Sequence, residues 1–162
     1  MRPLRVATLA FALLLAGCAA GAPERPDRVR QALFGLGQRA ATEVAGAPML
    51  ARPATDQVLL LTRPEVEADL GIAQDRLLES LTRALLALAE GPQVLDWQAA
   101  LSRGAEPNQW RLDSRLVAAG PRLTLSDRTL VPYRLQLILR RPGSETALWQ
   151  GRIDGALDAT AL

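Results

Sequence analysis

Apolar positions recur along this chain with two different periods. Val29, Leu33, Leu36 and Ala40 are spaced by three and four residues, which predicts an amphipathic helix over 28–45. Asp27 is placed to cap it, since its carboxylate can accept from the unpaired N–H groups of a first turn. Gly35 and Gly37 each cost such a helix about 1 kcal/mol relative to alanine, so packing rather than propensity is expected to hold it. Gly46-Ala47-Pro48 ends it. The clearest helical stripe is Leu77, Leu78, Leu81, Leu85 and Leu88 within Ile72–Glu90, with Glu79 four residues ahead of Arg83 and Gly91-Pro92 as a stop.

Strand patterns fill the remainder. Gln57–Thr62 is a short continuous apolar run, the mark of a centrally placed strand. Arg63–Gly71 reads as a polar loop. Gln93–Trp97 is a further strand candidate, after which Asp96 can cap a brief helix through Ala99–Arg103. From Gln109 the period becomes two. Trp110, Leu112, Ser114, Leu116 and Ala118 alternate with Arg111, Asp113, Arg115 and Val117. Leu130–Arg141 alternates again through Val131, Tyr133, Leu135, Leu137 and Leu139, with Pro132 marking an edge, a bulge or a beginning. Ala147–Leu157 forms the last strand. Helices early and pairing strands late predict an α+β fold: a mixed or antiparallel sheet of four to five strands with two main helices packed on one face. The domain is expected over 28–158, with a frayed tail at 159–162.

The first twenty residues follow another rule. Arg2 and Arg5 precede an apolar run from Val6 to Leu15, too short to span a bilayer. Leu15-Ala16-Gly17-Cys18 follows, with small residues directly before the sole cysteine. This motif resembles the lipobox of bacterial lipoproteins. The resemblance implies a leader over 1–17, diacylglycerol on the Cys18 thiol, an N-acyl chain on the new terminus, and a short tether over 18–27. Two or three acyl chains anchor stably where one does not. No aspartate follows Cys18, which in enteric lipoproteins implies passage to the inner leaflet of the outer membrane.

Composition removes several function classes. The 19 basic residues are all arginine, and Arg2 and Arg5 leave with the leader, so the remaining side chains balance the 17 acids. The charge gives no argument for nucleic acid. There is no histidine, the commonest general base and metal ligand. With Cys18 acylated no thiol remains for a disulfide or a thiolate site. No enzymatic activity is expected, and no cofactor beyond the acyl chains.

Candidate contact residues follow from the strand alternation. Arg111, Asp113, Arg115, Arg134, Gln136 and Arg152 face away from the apolar stripe and form either a polar docking face or a solvated one. Tyr133 and Trp149 are expected in the core, whereas Trp110 stands between core and docking patch. Glu65, Glu67 and Asp69 are too few for a calcium cage of about six to eight oxygens. Asp113 and Asp127 lack the setting of a glycan-cleaving pair.

A family resemblance joins these elements over roughly residues 28–157. It lies in Val58-Leu59-Leu60-Leu61, in Leu78-x-x-Ser80-Leu81-x-x-Ala84-Leu85, and in the hairpin Tyr133-x-Leu135-Gln136-Leu137-Ile138-Leu139 followed by Glu145-Thr146-Ala147-Leu148-Trp149-Gln150-Gly151. In order, these resemble the outer-membrane lipoproteins that activate penicillin-binding proteins, of the LpoB type. The resemblance implies a domain that docks on a bifunctional peptidoglycan synthase and raises its activity. Two departures stand out. The family's long Pro-rich tether is replaced by Ala19–Pro26, at most about 28 Å when extended. A second full helix before the middle strand is replaced by Asp96–Arg103 and a loop. The short reach suits an assembly or scaffold lipoprotein of another envelope complex, the competing reading.

Overall fold

Residues 25–103 and 105–161 are described by a computed structural model. Cys18, the leader and most of the tether lie outside them. Helix α1 spans Arg25–Ala45 and α2 Gln74–Leu86. The strands are β1 Val58–Leu61, β2 Glu65–Val66, β3 Gln93–Asp96, β4 Gln109–Ala118, β5 Leu123–Thr124, β6 Thr129–Arg140 and β7 Trp149–Asp158. All seven join one mixed sheet. β1 lies parallel to both β3 and β4, while β4, β6 and β7 form the antiparallel meander. The α+β class and the pair of helices stand as expected. The extra strands are the two-residue β2, parallel to β4, and β5, antiparallel to β6.

Both helices cover the same face. Leu33, Leu36 and Ala40 of α1 and Leu77, Leu81 and Leu85 of α2 share one core with Leu59, Leu112, Leu116, Leu135 and Leu137 of the sheet. The helices cross where Gly37 meets Ser80. A Cβ on Gly37 would lie 2.6 Å from Ser80 Oγ and 2.7 Å from its carbonyl oxygen. Ser80 Oγ donates across the crossing to the Leu33 carbonyl at 2.6 Å. Gly35, by contrast, meets nothing within 4 Å. One of the two glycines therefore serves the packing and the other does not.

Several expectations are corrected. α1 already runs at Asp27, so that residue lies in the first turn and is not the cap. Pro26 is also inside that turn, where its missing N–H costs no bond, so the helix takes over the end of the expected tether. α2 stops at Leu86, and a turn closed by Gly91 N–H to the Leu88 carbonyl reverses the chain into β3. Ala99–Ser102 is a 3₁₀ turn whose N-cap position is taken by Gln98 rather than Asp96. The expected loop over 63–71 contains β2 and the 3₁₀ turn Ala68–Leu70, closed by Gly71 at φ 67°. The tail forms a 3₁₀ turn, Ala159–Ala161, where Asp158 accepts from the Thr160 N–H at 2.9 Å. Pro132 sits inside β6. Its carbonyl accepts from Ala119 at 3.0 Å, beyond the end of β4, so the donor it lacks falls in the gap between β4 and β5.

The segment between β3 and β4 passes back over β1. Parallel crossovers are right-handed, and since α2 connects β1 to β3 on the helical side, the return to β4 must use the other face. Trp97 lies there, with the Arg111 guanidinium 5.7 Å from its ring centroid. Leu60 has no exposed surface although it stands apart from the helix-side core.

Candidate polar docking face of the sheet

Period two sends Arg111, Asp113 and Arg115 of β4, Arg134 and Gln136 of β6, and Arg152 of β7 to the helix-free face. All six expected residues are therefore brought together. Register sets Arg115 opposite Gln136 and Gln136 opposite Arg152, one row across three strands. Trp110 is the correction. It lies on the other face, buried to 4% exposure, and its indole N–H donates to Gln57 Oε1 at 3.0 Å. Arg141 stacks on its ring at 3.6 Å. Tyr133 is buried beneath the helices, and Trp149 is half-buried with its ring across Gly151.

One end of the face is a closed ionic network. Arg111 and Arg140 stand directly opposite each other, a like-charge pair that needs anions between them. Asp113 supplies one, accepting from Arg140 Nε at 2.8 Å and from Arg111 at 3.3 Å. Glu145, in the β6–β7 turn, supplies the other and takes both terminal nitrogens of Arg111 at 3.1 Å. This bidentate pairing suits the planar guanidinium. It holds the Glu145 carboxyl below its ordinary pKa and raises that of Arg111. Arg140 also donates to the Glu145 backbone carbonyl. Arg111 Nε is buried with no aligned acceptor, although Asp113 Oδ1 lies 3.2 Å away. The Arg111 side chain is 12% exposed and that of Arg140 18%, so these two arginines are held in the structure.

The other end is open. Arg115 is 60% exposed and touches Glu65 only at 3.5 Å. Arg152 is 64% exposed, and Asp154 bridges it to Arg134 at 3.3 and 2.8 Å. Gln136 is exposed between them. A groove of about 470 Å³ runs from this row past Ile138 to Glu145, walled by Thr62, Arg63 and Glu65. Arg140, Glu145 and Trp97 complete the site and were absent from the sequence expectation. Arg140 was findable, since it continues the β6 alternation two steps beyond Gln136. Glu145 and Trp97 come from a turn and a crossover, which carry no period.

Acids elsewhere do not converge. Glu65 faces Arg115, whereas Glu67 accepts from the Ala118 N–H at 2.9 Å. Asp127 is held by Arg128, and Asp113 by Arg111 and Arg140. Among the described residues there is no cluster of three or more metal-binding side chains, and no helix is long and apolar enough to cross a membrane.

No protein-family model matches the chain, and no curated protein matches it by sequence. Solved structures similar to it include the LpoB C-terminal domain from Escherichia coli, 15% identical, covering 77% of this chain and 97% of that one, with a TM-score of 0.49. Lipoprotein GNA1162 from Neisseria meningitidis is 12% identical, with 64% and 84% covered and a TM-score of 0.43. Protein XCC0632 from Xanthomonas campestris is 12% identical, with 69% and 71% covered and a TM-score of 0.45.

Proposed function

We propose that this chain is a lipid-anchored envelope protein that acts by binding a protein partner through the open polar face of its sheet, without catalysing a reaction. The partner is a bifunctional peptidoglycan synthase, and the anchor is the acylated Cys18 in the outer membrane. The observation that carries the docking surface is the exposed row Arg115–Gln136–Arg152 beside a groove, on a sheet face that neither helix covers. Binding there raises synthase activity only insofar as it favours the active conformation.

The test uses the purified protein with synthases from the same cell. Arg115→Ala combined with Gln136→Ala should abolish stimulation of glycan polymerisation while thermal stability stays near wild type, as exposed substitutions do. Undiminished stimulation by the variant would refute the docking face. If no synthase is stimulated by the unaltered protein, the activator reading fails.

The competing reading, a scaffold of another envelope complex, is favoured by the short segment between Cys18 and α1. A flexible insert after Ala22 separates the two. An activator limited by reach tolerates the slack, because closure entropy grows by only about 0.6 kcal/mol per doubling of length. A scaffold held rigidly at the membrane loses function.

A further inference from the structure

β7 is a ten-residue strand with one strand neighbour, β6, among the described residues. It contains no proline and no bulge, two of the devices that usually blunt a sheet edge. The direction of its backbone groups follows from β6. The Pro132 carbonyl faces β4, and the Leu139 carbonyl accepts from Leu148 at the β7 end. Odd-numbered residues of β6 thus bond toward β7, and their register partners there are Trp149, Gly151, Ile153, Gly155 and Leu157. Alternation leaves the N–H and C=O groups of Gln150, Arg152, Asp154 and Ala156 directed to the open edge.

We propose that this edge pairs antiparallel with the β7 edge of a second copy of the chain, about a two-fold axis at Ile153. That axis sets Arg152 opposite Asp154 of the second copy and Asp154 opposite its Arg152, two cross-strand ion pairs on the polar face. Gln150 meets Ala156, and on the helical face Ile153 meets itself and Gly151 meets Gly155. The charged residues therefore pair on the polar face, and Ile153 and the two glycines meet on the helical face. The neighbouring axes are poorer. An axis at 152 sets Arg152 against itself, and one at 154 does the same to Asp154. An axis at 151 loses the opposite-charge pairs, and one at 155 leaves Asp154 facing Ala156 and brings Arg152 only to Asp158 at the strand end. The interface is self-complementary in the way a two-fold contact requires. A groove of about 500 Å³ between α1 and β7, lined by Arg39, Thr42, Glu43, Arg152, Ile153 and Asp154, leaves room beside the edge. The two sheets would become one, with two Arg115–Gln136–Arg152 rows on a single face.

The test is sedimentation of the full-length chain in mild detergent, with Arg152→Asp and Asp154→Arg as variants and circular dichroism to confirm that each folds. The unaltered protein should sediment as a dimer. Each variant alone should be monomeric, because the substitution sets two like charges opposite each other on both sides of the axis. Mixing the two variants should restore a dimer, since one copy then carries acids at positions 152 and 154 and the other carries arginines at both. A monomeric unaltered protein, or variants that remain dimeric alone, would overturn the proposal. Hydrogen-exchange protection of the Arg152 and Asp154 amides in a monomer would overturn it in favour of an occupant from the chain's own residues.

Discussion

Gly35 and Gly37 stand two residues apart in α1, and alanine at the two positions should act with opposite sign. At Gly35 the new methyl group meets nothing within 4 Å, so only the backbone terms remain. Replacing a helical glycine by alanine there should stabilise by about 0.4–1 kcal/mol. At Gly37 the same gain is opposed by a Cβ 2.6 Å from Ser80 Oγ and 2.7 Å from the Ser80 carbonyl oxygen. Rotating the hydroxyl away relieves the first contact but breaks its bond to Leu33, worth about 1 kcal/mol. The second contact is with backbone, so the helices must separate, and overpacking of this kind costs about 1–3 kcal/mol. Gly37→Ala should therefore destabilise by about 1–3 kcal/mol in sum. Urea denaturation is the assay. With a slope of about 2 kcal/mol per molar, a loss of about 2 kcal/mol lowers the midpoint by about 1 M, at unchanged slope. A Gly37→Ala protein as stable as the original, or a Gly35→Ala protein that is less stable, would refute the close crossing of α1 and α2.

Other outcomes follow from the same geometry. Leu81→Ala removes a side chain that is 2% exposed between helices and sheet, and denaturation should show a loss of about 2–5 kcal/mol. Glu145 carries a lowered pKa because Arg111 donates to it. Its contribution is complete above the ordinary glutamate range and is lost as pH falls through the depressed folded-state value, so Glu145→Gln should flatten the acid limb of the stability–pH curve. An ordinary Glu145 titration by carboxyl NMR would contradict that pairing. Cys18→Ser should abolish palmitate labelling and leave the precursor uncleaved at the inner membrane; labelling that persists in the variant would remove the lipid anchor from the proposal.

Periodicity in the sequence determined the elements and their faces. The three- and four-residue spacing of Leu33, Leu36 and Ala40, and of Leu77, Leu81 and Leu85, placed the buried stripe of each helix. The alternation from Gln109 onward divided Leu112 and Leu116 from Arg111, Asp113 and Arg115, and the six polar residues expected on one face are on one face. Period is a local property, carried by neighbouring residues whose Cβ directions the backbone fixes. It has no information about which strands become neighbours. The double parallel pairing of β1, the two-residue β2 and β5, and the pairing of β7 with β6 depend on contacts between residues distant in the chain. The same limit explains Trp110. Its alternation set it with Leu112, but only the assembled core, the Arg141 guanidinium over its ring and the Gln57 side chain made that position buried and satisfied its indole. Gly37 and Glu145 were decided in tertiary structure too. One gains its role from a helix that arrives 43 positions later at Ser80, the other from an arginine 34 positions earlier.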